Sequence, residues 1–468
     1  MRASVWLASL SAVLVAACAA LEPTYQRPAP PIPATWPAGP AYPPAADAAA
    51  GVGWRQVFID PRLRAVIELA LANNRDLRVA TANIEAAQAQ HRIQRAELFP
   101  SLDAQAGATY GRSVVAAGVA AAPASAVDLR DYAVSIGVSA YELDLFGRVR
   151  SLSKAALEQY LASQEARRAV QISLVAEVAA DWLTLDADRA LLKIARDTQT
   201  SGEASLGLVR RRFQGGVASA LDVSQAQTVV QQARADLARY AAQVAQDINA
   251  LTLAIGAPAP DALLPEGTGA PLAIADPPVG VSSEVLLRRP DVLQAEDQLK
   301  AANADIGAAR AAFFPSVSLT GAGGASSTAL SSLFAPGSGT WSFAPTVTLP
   351  IFSGGRNRAA LDYARAQRDA QVAQYEKAVQ TAFRETADAL AQRGGVDERL
   401  AAEQALTDAA ATALRLSTAR YQHGSDSYLN TLIAQRVLYA AEQDLVAARL
   451  ARSASRVTLY KALGGGFN

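Results

Sequence analysis

The chain has 468 residues, and its 43 lysines and arginines are matched by 43 aspartates and glutamates. That balance excludes a net field steering nucleic acid or an anionic membrane surface to the protein. Apolar residues make up 51% of the chain, but much of this is alanine, which favours helix without demanding a large core.

Residues 1–17 read as an export signal: Arg2 is a thin positive start, and an apolar stretch runs from Val5 to Ala17. That is about a dozen residues, short of the roughly 20 that a transmembrane helix needs. The stretch closes on Val15-Ala16-Ala17-Cys18, which resembles a bacterial lipobox, with the Cys18 thiol as the lipid-attachment nucleophile. Cys18 is the only cysteine, which leaves no disulfide and no cysteine-based metal site. Ala19 follows it where an aspartate would stand otherwise; by resemblance to enterobacterial lipoproteins this favours the outer membrane. A single lipid anchor holds only marginally, so further membrane attachment is expected. Residues 18–62 read as an extended, lipid-anchored segment. Proline recurs from Glu22 to Ala46 and excludes helix, while Tyr25, Trp36 and Tyr42 point to packing along the body.

The rest of the chain is one unit written twice, residues 63–256 and 283–464, joined by a linker at 257–282 and followed by a tail at 465–468. Leu98-Phe99-Pro100-Ser101 returns as Phe313-Phe314-Pro315-Ser316, and Leu145-Phe146-Gly147-Arg148 as Ile351-Phe352-Ser353-Gly354-Gly355-Arg356. Arg212-Phe213-Gln214-Gly215-Gly216 returns as Arg420-Tyr421-Gln422-His423-Gly424, and Ala254-Ile255-Gly256 as Ala462-Leu463-Gly464. Matches that fall on Phe, Pro, Gly and Arg are not an accident of alanine content.

Each copy opens on a helical stretch, 63–98 or 283–313. The period then switches to two and predicts strands at 101–113, 131–145, 316–327 and 341–351. Leu102, Ala104, Ala106, Ala108 and Tyr110 alternate with Asp103, Gln105 and Thr109; Trp341, Phe343 and Val347 alternate with Ser342, Ala344 and Thr346. Strands of this length, apolar on one face with aromatic residues among them, suit a tilted membrane span. Proline-free helices follow at 148–212 and 356–420, the second softened by Gly394-Gly395. At 1.5 Å per residue each could reach roughly 100 Å. They end in glycine turns at 213–218 (Gly215, Gly216) and 421–426 (Gly424), and return as helices at 219–255 and 427–463. Helices this long need neighbours in a coiled-coil-like array to bury their apolar stripes. Four amphipathic strands cannot close a barrel, for which about eight is the practical minimum, and open edges in lipid are costly. Other copies must complete it; two give eight strands and three give twelve, and the strand physics does not choose.

The chain resembles the TolC/OprM superfamily of outer-membrane efflux proteins, in the lipidated branch that serves resistance-nodulation-division pumps. The resemblance covers nearly the whole chain: Cys-Ala-Ala-Leu-Glu-Pro-Thr-Tyr-Gln-Arg-Pro from Cys18, Ala70-Leu71-Ala72-Asn73-Asn74-Arg75-Asp76-Leu77, Arg288-Arg289-Pro290-Asp291-Val292, and Tyr460-Lys461-Ala462-Leu463-Gly464-Gly465-Gly466. It implies an α+β membrane protein: a homotrimer with a twelve-strand transmembrane β-barrel, a long periplasmic α-helical barrel and an equatorial domain. It further implies a passive exit duct for drugs and toxic compounds, with a periplasmic adaptor and an inner-membrane pump as partners.

The same resemblance places the closed aperture just past the second turn, at Tyr421, Asp426 and Leu429. Three copies of Leu429 would form an apolar ring that gates by dewetting. Arg212 and Asp222, beside the first turn, are expected to hydrogen-bond or ion-pair with the second-turn helices and hold the tips shut. The tip grooves at 210–216 and 420–425 are the expected adaptor docking surface. Where family members often carry aspartates, this chain has Ile433 and Asn430, which implies weaker cation selectivity and weaker block by multivalent cations. No catalytic constellation is present; His91 and His423 have no metal-ligand spacing, and no Gly-rich phosphate loop follows a strand. No cofactor beyond the lipid on Cys18 is expected. Two competing readings are the exit channel of a type I protein secretion system and a non-conducting structural trimeric lipoprotein. The lipobox and the 460–466 ending favour efflux over the first, and the polar strand face favours a water-filled lumen over the second.

Overall fold

The computed structural model describes residues 21–42, 53–115, 125–267, 274 and 282–465. The expected export signal, Cys18 and most of the short C-terminal tail lie outside the described residues, as does part of the linker.

Helix α1 (Trp54–Val57) is followed by α2 (Pro61–Asn73), whose first turn is capped by the Asp60 carboxylate from the amides of Arg62 and Leu63, with Pro61 at the first helical position. The sequence predicts one helix through 63–98. Instead the chain breaks at Asn74 and resumes as α3 (Arg75–Ala96). Asn74 is buried with ψ of 136°; its Oδ1 accepts from Leu77 N at 2.9 Å and its Nδ2 donates to Ala254 O at 2.8 Å. A buried amide satisfied on both sides stabilises the break.

Strands β1 (Asp103–Val115), β2 (Ser125–Leu143), β3 (Ser316–Ser327) and β4 (Gly339–Thr348) form one antiparallel sheet in sequence order, with β1 and β4 at its edges. Strand β2 starts earlier than its alternation predicts because it stays in register with β1 to the end of that strand, where Arg112 and Asp128 pair at 3.2 Å. Strand β4 stops short of the predicted end because its partner runs out: Thr348 pairs with Ser316, the first residue of β3. The β2–β3 register slips between Val138 and Tyr141, where Ala140 adopts φ of 52° and its amide turns to Thr320 Oγ1 at 3.1 Å, a bulge. Leu102, Tyr110, Ile136, Trp341, Phe343 and Val347 all stand exposed, and β4 is exposed along its whole length. Among the described residues no helix is long and apolar enough to cross a membrane.

Helix α4 (Arg148–Gln214) runs unbroken after the left-handed Gly147, and Asp144 accepts from the amides of Val149 and Arg150 at 3.2 and 2.9 Å. Helix α5 (Ala220–Ile255) returns. In the second copy the predicted helix at 283–313 divides: Ser283–Arg288 is a 3-10 turn, Arg289 is extended, and α6 (Pro290–Ala311) begins at the proline. The residue before a proline is pushed out of the helical region. The next long helix divides at Gly395 into α7 (Arg356–Gly394) and α8 (Val396–Gln422), before α9 (Tyr428–Ala462).

Two compact units result, and each draws on both copies of the repeat. One contains Ile84–Ser163, Ala295–Tyr375 and the N-terminal stretch to Pro28; it holds the sheet. In it the N-terminal segment is tied down by Lys154 Nζ to Glu22 at 2.8 Å and Arg27 Nε to the buried Glu296 at 2.9 Å. The other contains Ala29–Asn83, Gln164–Gln294 and the chain from Glu376. Its core gathers Phe58, Leu63, Ile67, Trp182, Leu251 and Ile255, and the Trp182 Nε1 donates to Leu263 O at 3.0 Å. There Trp36 stacks on Phe383 with centroids 5.2 Å apart.

Candidate functional site

The turns of the α4–α5 and α8–α9 hairpins both lie in the second unit, and both reverse direction through the same backbone device. In the first, the amides of Gly216 and Val217 bond Phe213 O and Arg212 O at 3.0 and 2.9 Å; in the second, those of Gly424 and Ser425 bond Tyr421 O and Arg420 O at 3.0 and 2.9 Å. Gly216 and Gly424 each take φ of 76°, a left-handed conformation that only glycine adopts at little cost.

The side chains then diverge. After the first turn, Ser219 caps α5: Asp222 N donates to its Oγ at 3.1 Å, and Ser219 N and Oγ each donate to Asp222 Oδ2 at 2.8 Å. Asp222 therefore spends its carboxylate on its own turn, and the expected bond from Asp222 to the second-turn helices is replaced by this capping box. Arg212 does reach across. Its Nη1 donates to Tyr421 O at 2.8 Å, and its guanidinium lies 4.4 Å from the centroid of the Tyr421 ring.

Tyr421 is only 6% exposed and packs with Leu206, Val209, Val230, Tyr428 and Leu432. Its ring is thus a packing element, in contrast to the aperture residue that the resemblance implies; burial pushes its hydroxyl pKa upward. Burial likewise raises Tyr428 to about 12. Asp426 lies at the surface of the second turn. It accepts from Ser427 N at 2.8 Å, Asn430 Nδ2 at 2.6 Å and Arg420 Nε at 3.3 Å. The Ser427 amide first, then Asn430 and Arg420, hold its pKa below the usual carboxylate range, so it stays charged.

Leu429 is 46% exposed, and Ile433 and Val437 follow it, equally open, one and two turns along α9. The three form an apolar stripe that the single chain leaves uncovered. Val437 was not singled out from the sequence, although its i+4 spacing from Ile433 would have found it. Nor does the sequence announce Arg436, whose Nη2 donates to Thr228 Oγ1 at 2.9 Å and joins α9 to α5. His423 sits in the second turn, with its amide bonded to Ala419 O at 3.0 Å; His91 belongs to the other unit, its Nδ1 3.3 Å from Ser153 O.

A four-strand sheet with open edges, two long helical hairpins and a duplicated order of elements define a class. The chain belongs to the family described as outer membrane efflux protein, which matches residues 66–257 and 281–465, one segment for each copy of the repeat. Among its relatives are the toluene efflux pump outer membrane protein TtgC of Pseudomonas putida, 49% identical over 467 residues (98% of this chain, 95% of that one), and OprJ of Pseudomonas aeruginosa, 45% identical over 462 residues (98% and 95%). A membrane protein from Pseudomonas aeruginosa superposes with a TM-score of 0.87 at 43% identity, covering 95% of this chain and 100% of that one. The open state of the Neisseria gonorrhoeae MtrE outer membrane channel superposes with a TM-score of 0.85 at 38% identity, covering 96% and 99%. The chain is accordingly an efflux channel of the Gram-negative outer membrane.

Proposed function

We propose that three copies of this chain join their sheets edge to edge into one twelve-strand barrel and serve as the passive exit duct of a tripartite pump. The observation that carries this reading is the sheet itself: β1 and β4 are both edges, and β4 with Trp341, Phe343 and Val347 stands open to its surroundings. In lipid an unpaired edge is expensive, and only closure removes it. Cys18 carries the lipid, no other cofactor is needed, and a periplasmic adaptor docks on the two tip turns to connect an inner-membrane pump. TtgC is named for toluene efflux, and small apolar toxicants and drugs are the cargo proposed here as well.

In the trimer Leu429 forms the narrowest apolar ring, with Ile433 and Val437 behind it. Asp426 is the carboxylate beside that ring, and Arg420 and Asn430 already engage it. The ring therefore binds divalent cations weakly. Mass determination of the purified lipidated protein, with planar-bilayer conductance of the same sample under a divalent titration, tests this. A trimer with low, flickering conductance and no micromolar block supports the reading. A monomer or dimer overturns the barrel, a trimer that never conducts overturns the duct, and strong micromolar block overturns the weak cation site.

A further inference from the structure

Toward the end of the α4–α5 hairpin away from its turn, the two helices face each other with acid against acid. On α4, Glu177, Asp181 and Asp188 recur at intervals of four and seven residues, which place them along one face. On α5, Asp247 occupies the facing position. Asp247 is only 8% exposed, its Oδ1 receives a long bond of 3.4 Å from Gln243 Nε2, and its Oδ2 has no hydrogen-bond partner. A buried carboxylate oxygen without a donor costs free energy unless a proton or cation supplies one. Asp188 lies within hydrogen-bonding reach of Asp247. Two carboxylates that close cannot both ionise cheaply.

We propose that Asp188 and Asp247 share one proton across the α4–α5 interface and act as a pH-sensitive latch, closed when the proton is held and loosened when it leaves. The shared proton gives the orphaned Asp247 oxygen its donor; without it the two helices face each other with two negative charges. The surroundings favour the protonated pair. Arg239 on α5 is the cation facing Asp188, but it is already bonded to Asp236 at 3.0 Å and to Tyr240 Oη at 2.8 Å. Glu177 and Asp247 add negative charge around Asp181. On α9, Tyr439 is taken up by Asp236, and Glu442 faces Lys193 and Asp197 further along α4. Burial first, then Asp247, raise Asp188 to about 7, and burial with Glu177 raises Asp181 to about 6.

The folded hairpin binds the proton more tightly than the unfolded chain, so the latch contributes fully in acid. Its contribution falls as pH rises above the ordinary aspartate value, is lost through about 7, and is constant above that.

The test is infrared titration of the full-length lipidated protein, read at the carbonyl band of protonated carboxyl groups, together with amide exchange in α5. At pH 5.5 an ordinary aspartate is only about 3% protonated, so the band isolates raised carboxyls. The expected result is a band that persists at pH 6.5, vanishes by pH 8.5, and is reduced in Asp188→Asn and in Asp247→Asn. In Asp181→Asn the component lost near neutral pH remains. Exchange in α5, corrected for its intrinsic pH dependence, should quicken severalfold above neutral pH in the wild type, and Asp188→Asn, whose amide is a permanent donor, should abolish that change. A wild-type band already absent at pH 6.5, or a neutral component unchanged by either variant, overturns the shared proton. Exchange in α5 that ignores pH overturns the latch.

Discussion

The two tip turns are related sequences 208 residues apart, and their backbones match hydrogen bond for hydrogen bond. Their side chains have separated into different roles. Phe213 is 47% exposed where its counterpart Tyr421 is buried. Arg212 leaves its own turn to hold Tyr421, whereas Arg420 stays at home with Asp426. Ser219 and Asp222 make a capping box; at the matching positions Ser427 caps nothing and Asn430 turns to Asp426. Duplication preserved the glycine device, which has one solution, and released the side chains, which have many. Arg212 of the first turn braces the second, and both turns leave apolar side chains open: Val217 and Leu221 at the first, Leu429 and Ile433 at the second.

That division can be broken by exchanging matched substitutions. The largest effect should come from the paired leucines: Leu429→Ser is expected to raise single-channel conductance severalfold and to admit large antibiotics to cells, while Leu221→Ser leaves both near wild type. Equal effects would erase the distinction between the turns, and unchanged conductance in both would place the constriction elsewhere. The arginines come next. Arg212→Ala loses a charged hydrogen bond and a cation–π contact, together about 2 kcal/mol, and should raise open probability; Arg420→Ala, at the exposed ion pair, should alter neither stability nor gating detectably. Thermal melts beside bilayer recordings read both. The smallest effect is at the caps, where Ser219→Ala should cost about 1 kcal/mol and Ser427→Ala close to nothing, as seen by local amide exchange in the first turn of α5 and of α9.

Much of this was legible from periodicity and punctuation. Gly216 and Gly424 announce their turns, Gly394-Gly395 announces the break between α7 and α8, and the alternation of Trp341, Phe343 and Val347 announces an amphipathic strand. What was not legible depends on partners distant in sequence. The break at Asn74 needs Ala254 to accept its amide, and the length of β2 needs β1 beside it. The opening at Ser283–Arg288 was readable in principle, since Pro290 marks it. At the site, the reach of Arg212 toward the second turn was anticipated, but Asp222 looked equally free because a capping box and a cross-hairpin bond draw on the same residue types. Tyr421 could be placed next to the turn by sequence, yet its burial is decided by Leu206, Val209 and Val230 on α4 and α5.

The open length of β4 also has a genetic consequence. A sheet that is finished only by other copies makes the chain's fitness a property of the company it keeps. In the proposed trimer, a variant whose edge cannot pair spoils every assembly it enters. With intact and damaged chains expressed equally, only about one assembly in eight would be built wholly from intact copies. Damage at β4 is therefore expected to be inherited as dominant, whereas damage that merely unfolds the chain before it meets a partner would be recessive.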